Sequence, residues 1–169
     1  IGKNIAPGLY RNFVSEDWDI VPSDIWDEVR SYAKKKINDK EFKILASDIN
    51  GFVLKTARDN AQKAMVSDYI AFQKIPVKEF SSSKKYGCII CNPPYGERLG
   101  DKKEVEEIYD TLGRLYAKLD KWSFFVITSN EDFQKAFGRK ADKNRKLYNG
   151  RLQCYYYQYI NEVPKVKTK

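Results

Sequence analysis

The stretch Tyr86-Gly-Cys-Ile-Ile-Cys-Asn-Pro-Pro-Tyr95 decides how this sequence is interpreted. Its first half is an apolar run of strand length, and its second half contains two consecutive prolines, which end a strand. Such a run is typical of a strand buried in an α/β sheet, and these sheets bind their ligands beyond the carboxyl ends of the strands. The sequence therefore predicts a functional loop at residues 92–95.

The residues of this loop suit a reaction on the amino group of a nucleobase. The lone pair of that nitrogen is delocalised into the ring, which makes it a poor nucleophile. The side-chain oxygen of Asn92 and the carbonyl of Pro93 can each accept one amino hydrogen and aim the lone pair at a methyl donor. Pro93 and Pro94 fix the backbone, and Tyr95 would stack on a flipped base. The alternative is a simple Pro-Pro turn after a strand.

A second strand-end site is predicted upstream. Residues 42–47 have the pattern of a short strand, Asp48 and Ile49 follow it, and a helix is expected over 51–65. A carboxylate in this position can accept both hydroxyls of a ribose, as in dinucleotide-binding folds. Asp48 is therefore our candidate for the adenosyl ribose of S-adenosylmethionine, with Ile49 and Asn92 as further cofactor contacts. The alternative is that Asp48 only caps the helix.

Four segments of the chain together resemble one family. They are Ile-Gly-Lys-Asn-Ile-Ala-Pro-Gly at 1–8 with Arg-Asn-Phe at 11–13, Ser-Asp-Ile-Asn at 47–50, Asn-Pro-Pro-Tyr-Gly-Glu-Arg-Leu-Gly at 92–100, and Arg-Lys-Leu-Tyr-Asn-Gly at 145–150. On these residues the chain is similar to class I methyltransferases, and more narrowly to the bacterial THUMP-domain RNA methyltransferases, often labelled adenine-specific DNA methylases. The resemblance implies S-adenosylmethionine as cofactor and guanine N2 of large-subunit ribosomal RNA as the methylated group.

The resemblance predicts an α/β fold with a Rossmann-like class I methyltransferase sheet, mostly parallel, ending in a C-terminal antiparallel β-hairpin. The sequence also indicates the hairpin, because Asn149-Gly150 between two strand-like runs is typical of a type I′ turn. The family's N-terminal strand, glycine-rich cofactor loop and THUMP region would precede Ile1. We therefore expect residues 1–169 to be the C-terminal portion of one methyltransferase catalytic domain.

One departure from the family concerns the adenine of the cofactor. Relatives commonly carry an acidic residue after the third strand of their sheet, and this chain has Lys74-Ile-Pro-Val77 there. No carboxylate falls at the matching position, and Glu79 is the nearest candidate. Glu97 and Arg98, which follow the Asn-Pro-Pro-Tyr loop, are given no chemical role.

Bulk composition narrows the class of partner. The net charge of +8 favours a polyanion such as nucleic acid, although a generic basic surface would have the same charge.

The chain has no histidine, which is the usual general base and a common metal ligand, and we expect no metal site. Cys88 and Cys91 should point to opposite faces of a strand, so we interpret them as buried structural thiols of a reducing cytoplasm. No apolar run is long enough for a membrane span.

The segment at 138–146 is strongly basic and precedes the predicted hairpin. We hypothesise that it forms a loop near the sheet edge that carries the motif, where it would hold phosphates beside a flipped base. The residues concerned are Arg139, Lys140, Lys143 and Arg145. A solvated linker is the alternative. The alternating Tyr155, Tyr157 and Tyr159 predict packing, with a base-stacking platform as the alternative.

Three functions follow from these observations. The leading one is methyl transfer to a nucleobase amino group, with guanine N2 of ribosomal RNA implied by the resemblance. The second keeps this chemistry but acts on adenine N6 in DNA, because the four-residue motif does not distinguish the two bases. The third is a non-catalytic RNA-binding module.

Overall fold

The computed structural model describes residues 2–95 and 101–162, and the chain divides into two compact units, Ile1–Ile75 and Pro76–Lys169. After short 3₁₀ turns, the first unit contains helix α1 (Ser23–Lys35), strand β1 (Ile44–Asp48), helix α2 (Gly51–Lys63) and strand β2 (Ile70–Lys74). The two strands pair in parallel, with Ile44 opposite Ile70 and Asp48 opposite Lys74. Helix α2 buries Leu54 and Ala61 and packs against both strands.

The second unit contains a four-stranded sheet. Its elements are strand β3 (Gly87–Cys91), helix α3 (Asp101–Lys118), strand β4 (Trp122–Thr128), helix α4 (Phe133–Phe137), strand β5 (Lys143–Asn149) and strand β6 (Leu152–Tyr159). The strand order is β3-β4-β6-β5, with β3 and β4 parallel and the other two pairs antiparallel. Strands β3 and β5 therefore lie at opposite edges of this sheet.

Helices α3 and α4 cover one face of the four-stranded sheet. Side chains alternate between the two faces of a strand, and the same-face residues Phe124 and Val126 of β4 are fully buried with Tyr157 and Tyr159 of β6. Helix α3 contributes the stripe Val105, Tyr109, Leu112 and Leu115 to this core, and Leu119 adds to it directly after the helix. Gly113 lets the two helices approach closely, because a Cβ at this position would overlap the carbonyl group of Phe137 in α4.

The α/β architecture, the parallel strand pairs and the C-terminal antiparallel hairpin agree with the prediction. The predicted type I′ turn at Asn149-Gly150 is wrong by one residue, because Asn149 pairs with Leu152 and leaves Gly150 and Arg151 as the connection. Gly150 has a φ of 62°, whereas Arg151 is not among the described residues with positive φ, and a type I′ turn requires both. The expectation of one domain over residues 1–169 stays a prediction.

The predicted basic loop also needs correction. Lys143 and Arg145 belong to β5, which begins at Lys143, and the whole strand is exposed. Because β5 and β3 lie at opposite edges of the sheet, the basic segment is not beside the edge that carries the 92–95 loop. The spacing of four basic residues gave no sign of a strand, since an exposed edge strand lacks the apolar alternation by which strands are recognised.

Candidate active site

The loop at residues 92–95 follows the carboxyl end of β3, as predicted. Asn92 is exposed, Pro93 is buried and Tyr95 is half-buried. The Tyr95 hydroxyl donates a hydrogen bond to Oδ1 of Asn92 at 2.6 Å. This contact holds the Asn92 amide within its own loop, and the amide oxygen retains a second lone pair for another donor. The loop therefore presents a hydrogen-bond acceptor on a backbone that two prolines restrict.

A buried chain of hydrogen bonds ties this loop to the core. The Tyr109 hydroxyl of α3 donates to the carbonyl oxygen of Pro94 at 2.8 Å and lies 3.0 Å from the Thr128 hydroxyl at the end of β4. The Thr128 hydroxyl in turn accepts from the backbone N–H of Asn130 at 3.1 Å. Tyr109 and Thr128 are both fully buried. The carbonyl of Pro94 is thus fixed directly by α3, through Tyr109, and indirectly by β4, through Thr128.

The sequence analysis missed Tyr109 and Thr128. Burial raises the pKa of the Tyr109 hydroxyl, which keeps it protonated and able to donate. The available signal was a hydroxyl group at a core-facing position of each element. A tyrosine stands in the core stripe of α3, and a threonine ends the apolar strand β4. Neither pattern indicates which backbone carbonyl the hydroxyl will reach.

The two cysteines of β3 point to opposite faces, as predicted. Cys91 packs against the core, whereas Cys88 is exposed, so the prediction of a buried thiol is wrong for Cys88, whose side chain lies on the uncovered face of β3. Burial raises the pKa of the Cys91 thiol to about 12, so this thiol remains protonated at neutral pH. Within residues 2–95 and 101–162, no group of three His, Cys, Asp or Glu side chains is arranged to hold a metal ion.

Asp48 lies at the carboxyl end of β1, where the sequence placed it. Its Oδ1 accepts from the backbone N–H of Asn50 at 2.7 Å, and Oδ1 of Asn50 accepts from the backbone N–H of Phe52 at 2.9 Å. Asn50 is therefore the N-cap of α2, and the alternative in which Asp48 caps this helix is wrong. Ile49 between them is 69% exposed. The carboxylate has acceptor capacity beyond its one described hydrogen bond, which fits a ribose diol.

The four basic residues predicted to bind phosphate do not form one cluster. Arg139 is bound within the protein: it donates to the Tyr116 hydroxyl and to Oδ1 of Asp142, each at 3.0 Å, and its guanidinium lies over the Tyr116 ring. Lys143 and Arg145, two residues apart, share one face of β5. Neither forms an ion pair within the described parts of the chain.

The tyrosines of β6 are mainly packing residues. Tyr157 stacks on Phe133 and Tyr159 on Phe137, with ring centroids 5.1 Å and 4.2 Å apart. Tyr155 is half-buried and donates to Glu131 at 2.6 Å. The rest of the extended motif, Gly96-Glu-Arg-Leu-Gly100, lies outside the described residues, and Glu97 and Arg98 with it.

The fold is that of a class I methyltransferase domain. The chain belongs to the family of RMKL-like methyltransferase domains, whose model matches residues 1–158. It is 46% identical over 170 residues to the protein named "Putative RNA methyltransferase YpsC" of Bacillus subtilis (strain 168), covering 100% of this chain and 44% of that protein. It is 35% identical over 159 residues to the ribosomal RNA large subunit methyltransferase K/L of Legionella pneumophila (strain Corby), covering 93% and 22%.

Solved structures agree with this assignment. A "possible methylase" from Clostridium difficile 630 has a TM-score of 0.90 and 47% identity, covering 98% of this chain and 44% of that one. SMU.472, a "putative methyltransferase" complexed with SAH, has a TM-score of 0.88 and 39% identity, covering 96% and 44%. A "predicted N6-adenine-specific DNA methylase" from Listeria monocytogenes str. 4b F2365 has a TM-score of 0.86 and 40% identity, covering 95% and 42%.

The chain therefore spans less than half the length of these relatives. None of the helices in the described segments combines the length and the apolar character that a bilayer crossing requires.

Proposed function

We propose that this chain carries the catalytic site for methyl transfer to the exocyclic amino group of an RNA base. The observation that carries the proposal is the loop after β3, which presents the exposed Asn92 amide on a backbone held by Pro93 and by the Tyr109–Pro94 hydrogen bond. Oδ1 of Asn92 and the carbonyl of Pro93 accept the two amino hydrogens, so that the nitrogen lone pair points to the methyl donor. Tyr95 stacks on the base.

The cofactor in this proposal is S-adenosylmethionine, which supplies a methyl group already activated by a sulfonium. SAH in SMU.472, the compound left when that methyl group has been transferred, supports the assignment. Asp48 holds the ribose hydroxyls, with Ile49 beside it, and its described hydrogen bond to Asn50 fixes the carboxylate for this task. The proton released from the methylated amine passes to water, a step in which this chain supplies no histidine.

The substrate we propose is ribosomal RNA, methylated at guanine N2, in the cytoplasm. The names of the two curated relatives support an RNA substrate, and the second specifies large-subunit ribosomal RNA. The net charge of +8 is consistent with a polyanion. Among the basic residues of 138–146, Lys143 and Arg145 are our leading phosphate contacts, with Lys140, because the Arg139 guanidinium already binds Asp142 and Tyr116.

The name of the Listeria monocytogenes relative favours a second candidate, adenine N6 in DNA. Product analysis separates the two. The full-length protein is incubated with labelled S-adenosylmethionine and either ribosomal RNA or DNA, and the nucleic acid is digested to nucleosides. We expect N2-methylguanosine from the RNA. N6-methyldeoxyadenosine from the DNA, with unmodified RNA, would replace the proposed substrate by the second candidate.

A further inference from the structure

We propose that Tyr109 and Thr128 are positioning residues for methyl transfer, because they hold the Pro94–Tyr95 peptide in the orientation that the reaction requires. The inference rests on the proposed function of the 92–95 loop. Its evidence is the buried hydrogen-bond chain from Asn130 through Thr128 and Tyr109 to Pro94.

The chain of hydrogen bonds has one direction. The N–H of Asn130 donates to the Thr128 hydroxyl, and the Tyr109 hydroxyl donates its only hydrogen to the carbonyl of Pro94. The remaining contact, between the two hydroxyls, therefore has Thr128 as donor and Tyr109 as acceptor. Along this chain each hydroxyl accepts one hydrogen bond and donates one, and the Asn130 side chain also interacts with the Tyr109 hydroxyl. Bonds arranged in this way strengthen each other in a buried environment. Loss of either hydroxyl breaks the chain.

The peptide that this chain holds lies at the centre of the proposed site. The Pro94 carbonyl and the Tyr95 N–H belong to one planar peptide unit, so a hydrogen bond to the oxygen fixes the plane. On one side of this unit lies Pro93, whose carbonyl accepts an amino hydrogen, and on the other lies Tyr95, which stacks on the base. Tyr95 also bonds Asn92 at 2.6 Å. A tilt of this one plane would move both acceptors and the stacking ring.

Sequence and packing explain why the hydroxyls are there. The ring of Tyr109 packs edge-on against Phe133 with centroids 4.8 Å apart, and phenylalanine would fill this space as well. Valine would likewise match the shape of Thr128 within the buried strand β4. The hydroxyls are therefore not needed to fill the core, and their described partners lie in the catalytic loop or in the chain that leads to it.

The test compares three variants of the full-length protein, each of which removes one hydroxyl. Tyr109→Phe and Thr128→Val each break the chain while preserving shape. Tyr157→Phe is the matched control, because Tyr157 is also buried and also packs on Phe133, but its hydroxyl forms no hydrogen bond within the described residues. We expect kcat to fall about 10- to 100-fold in the first two variants, since small misplacements of reacting groups have effects of this size. The affinity for S-adenosylmethionine and the kcat of Tyr157→Phe should stay near the wild-type values.

Two further measurements keep the positioning role separate from general destabilisation. Thr128→Ser retains a hydroxyl and should restore most of the kcat lost in Thr128→Val. The amide proton and nitrogen chemical shifts of Tyr95 should move in Tyr109→Phe and Thr128→Val, because the peptide plane is released, and should stay near the wild-type values in Tyr157→Phe. Unchanged shifts at Tyr95 in both chain-breaking variants would overturn the proposal. An Asn92→Ala variant with wild-type kcat would refute the proposed function of the loop instead, and the chemical-shift data would still decide the positioning role.

Discussion

Two loops follow parallel strands in this chain, and they are held in different ways. The loop after β3 is tied to the core, since Pro93 is buried and Pro94 accepts a hydrogen bond from the fully buried Tyr109. The loop after β1 is held by its own side chains, with Asp48 bonding the N–H of Asn50 and exposed surroundings on either side. One loop is fixed by distant parts of its unit, and the other by its nearest neighbours.

This difference matches the tasks we assign to the two loops. Methyl transfer depends on the angle of an attacking lone pair, and an acceptor that drifts loses most of its effect. Binding a ribose requires a carboxylate within hydrogen-bonding distance, and a local turn can provide this. The comparison therefore predicts that substitutions in the first loop change kcat and that substitutions in the second change cofactor affinity.

The largest effect is expected for Asn92→Ala in the full-length protein. The variant loses an acceptor that acts on the amine in the transition state, and removal of one such preorganised group costs about 100- to 1,000-fold in kcat. The affinity for S-adenosylmethionine, measured by calorimetry, should change little. An equal loss in kcat and cofactor affinity would mean that Asn92 is structural and that the two loops do not differ as proposed.

Asp48→Ala should have the opposite profile. A hydrogen bond to a charged carboxylate contributes about 1.5–3 kcal/mol, so its loss should weaken S-adenosylmethionine binding about 10- to 100-fold. Calorimetry checks this, with Asp59→Ala on α2 as the charge-matched control. Because Asn50 caps α2, the melting temperature of Asp48→Ala should stay close to that of the control. Unchanged cofactor affinity would remove Asp48 from the site.

Arg145→Ala tests whether the far edge of the four-stranded sheet joins the first loop in binding RNA. Each phosphate contact contributes about 0.7–0.9 to the slope of log affinity against log salt, and the variant should reduce the slope by this amount. Arg114→Ala is the control, since Arg114 is equally charged and pairs with Asp110 on the surface of α3 at 3.0 Å. If the two variants had equal salt slopes, Arg145 would not contact a phosphate and β5 would be only a solvated edge strand.

The smallest effect is expected for the reactivity of Cys91, the residue directly before the first loop. Because the pKa of Cys91 is raised to about 12, its thiol stays protonated through pH 9 and should react slowly with iodoacetamide. The exposed Cys88, on the opposite face of β3, should react faster. Mass spectrometry of the native protein after brief labelling measures both. If Cys91 were labelled as fast as Cys88, the Cys91 thiol next to Asn92 would be accessible to solvent.

The sequence predicted the parts of the fold that depend on local patterns. Strands β3 and β4 are apolar runs, and helix α3 has apolar residues at regular helical spacing, so all three elements could be recognised from the sequence. Both strand-end loops were also predicted, because chain order alone puts a loop after a strand. The first strand of the hairpin was predicted, but its start at Lys143 was missed because all residues of β5 are exposed, and an edge strand is stabilised by pairing rather than by its own apolar pattern.

The tertiary part of the site could not be predicted in this way. The Tyr109–Pro94 hydrogen bond joins residues 15 positions apart, and it depends on the packing of α3 against β4. Arg139 was interpreted as a phosphate contact because its charge is visible in the sequence. Its partner Asp142 is only three residues away along the chain, but Tyr116 lies 23 positions away on α3 and is brought beside Arg139 by tertiary packing.

Gly113 has a consequence for the interpretation of genetic screens. A methyl group at this position would overlap the backbone of Phe137 and push α3 away from α4, one helical turn from Tyr109. Loss-of-function alleles are therefore expected at Gly113, although it touches neither substrate nor cofactor in our proposal. A survey that ranks positions by intolerance would score this glycine beside Asn92, and only a residue-level account of helix contact would separate the two.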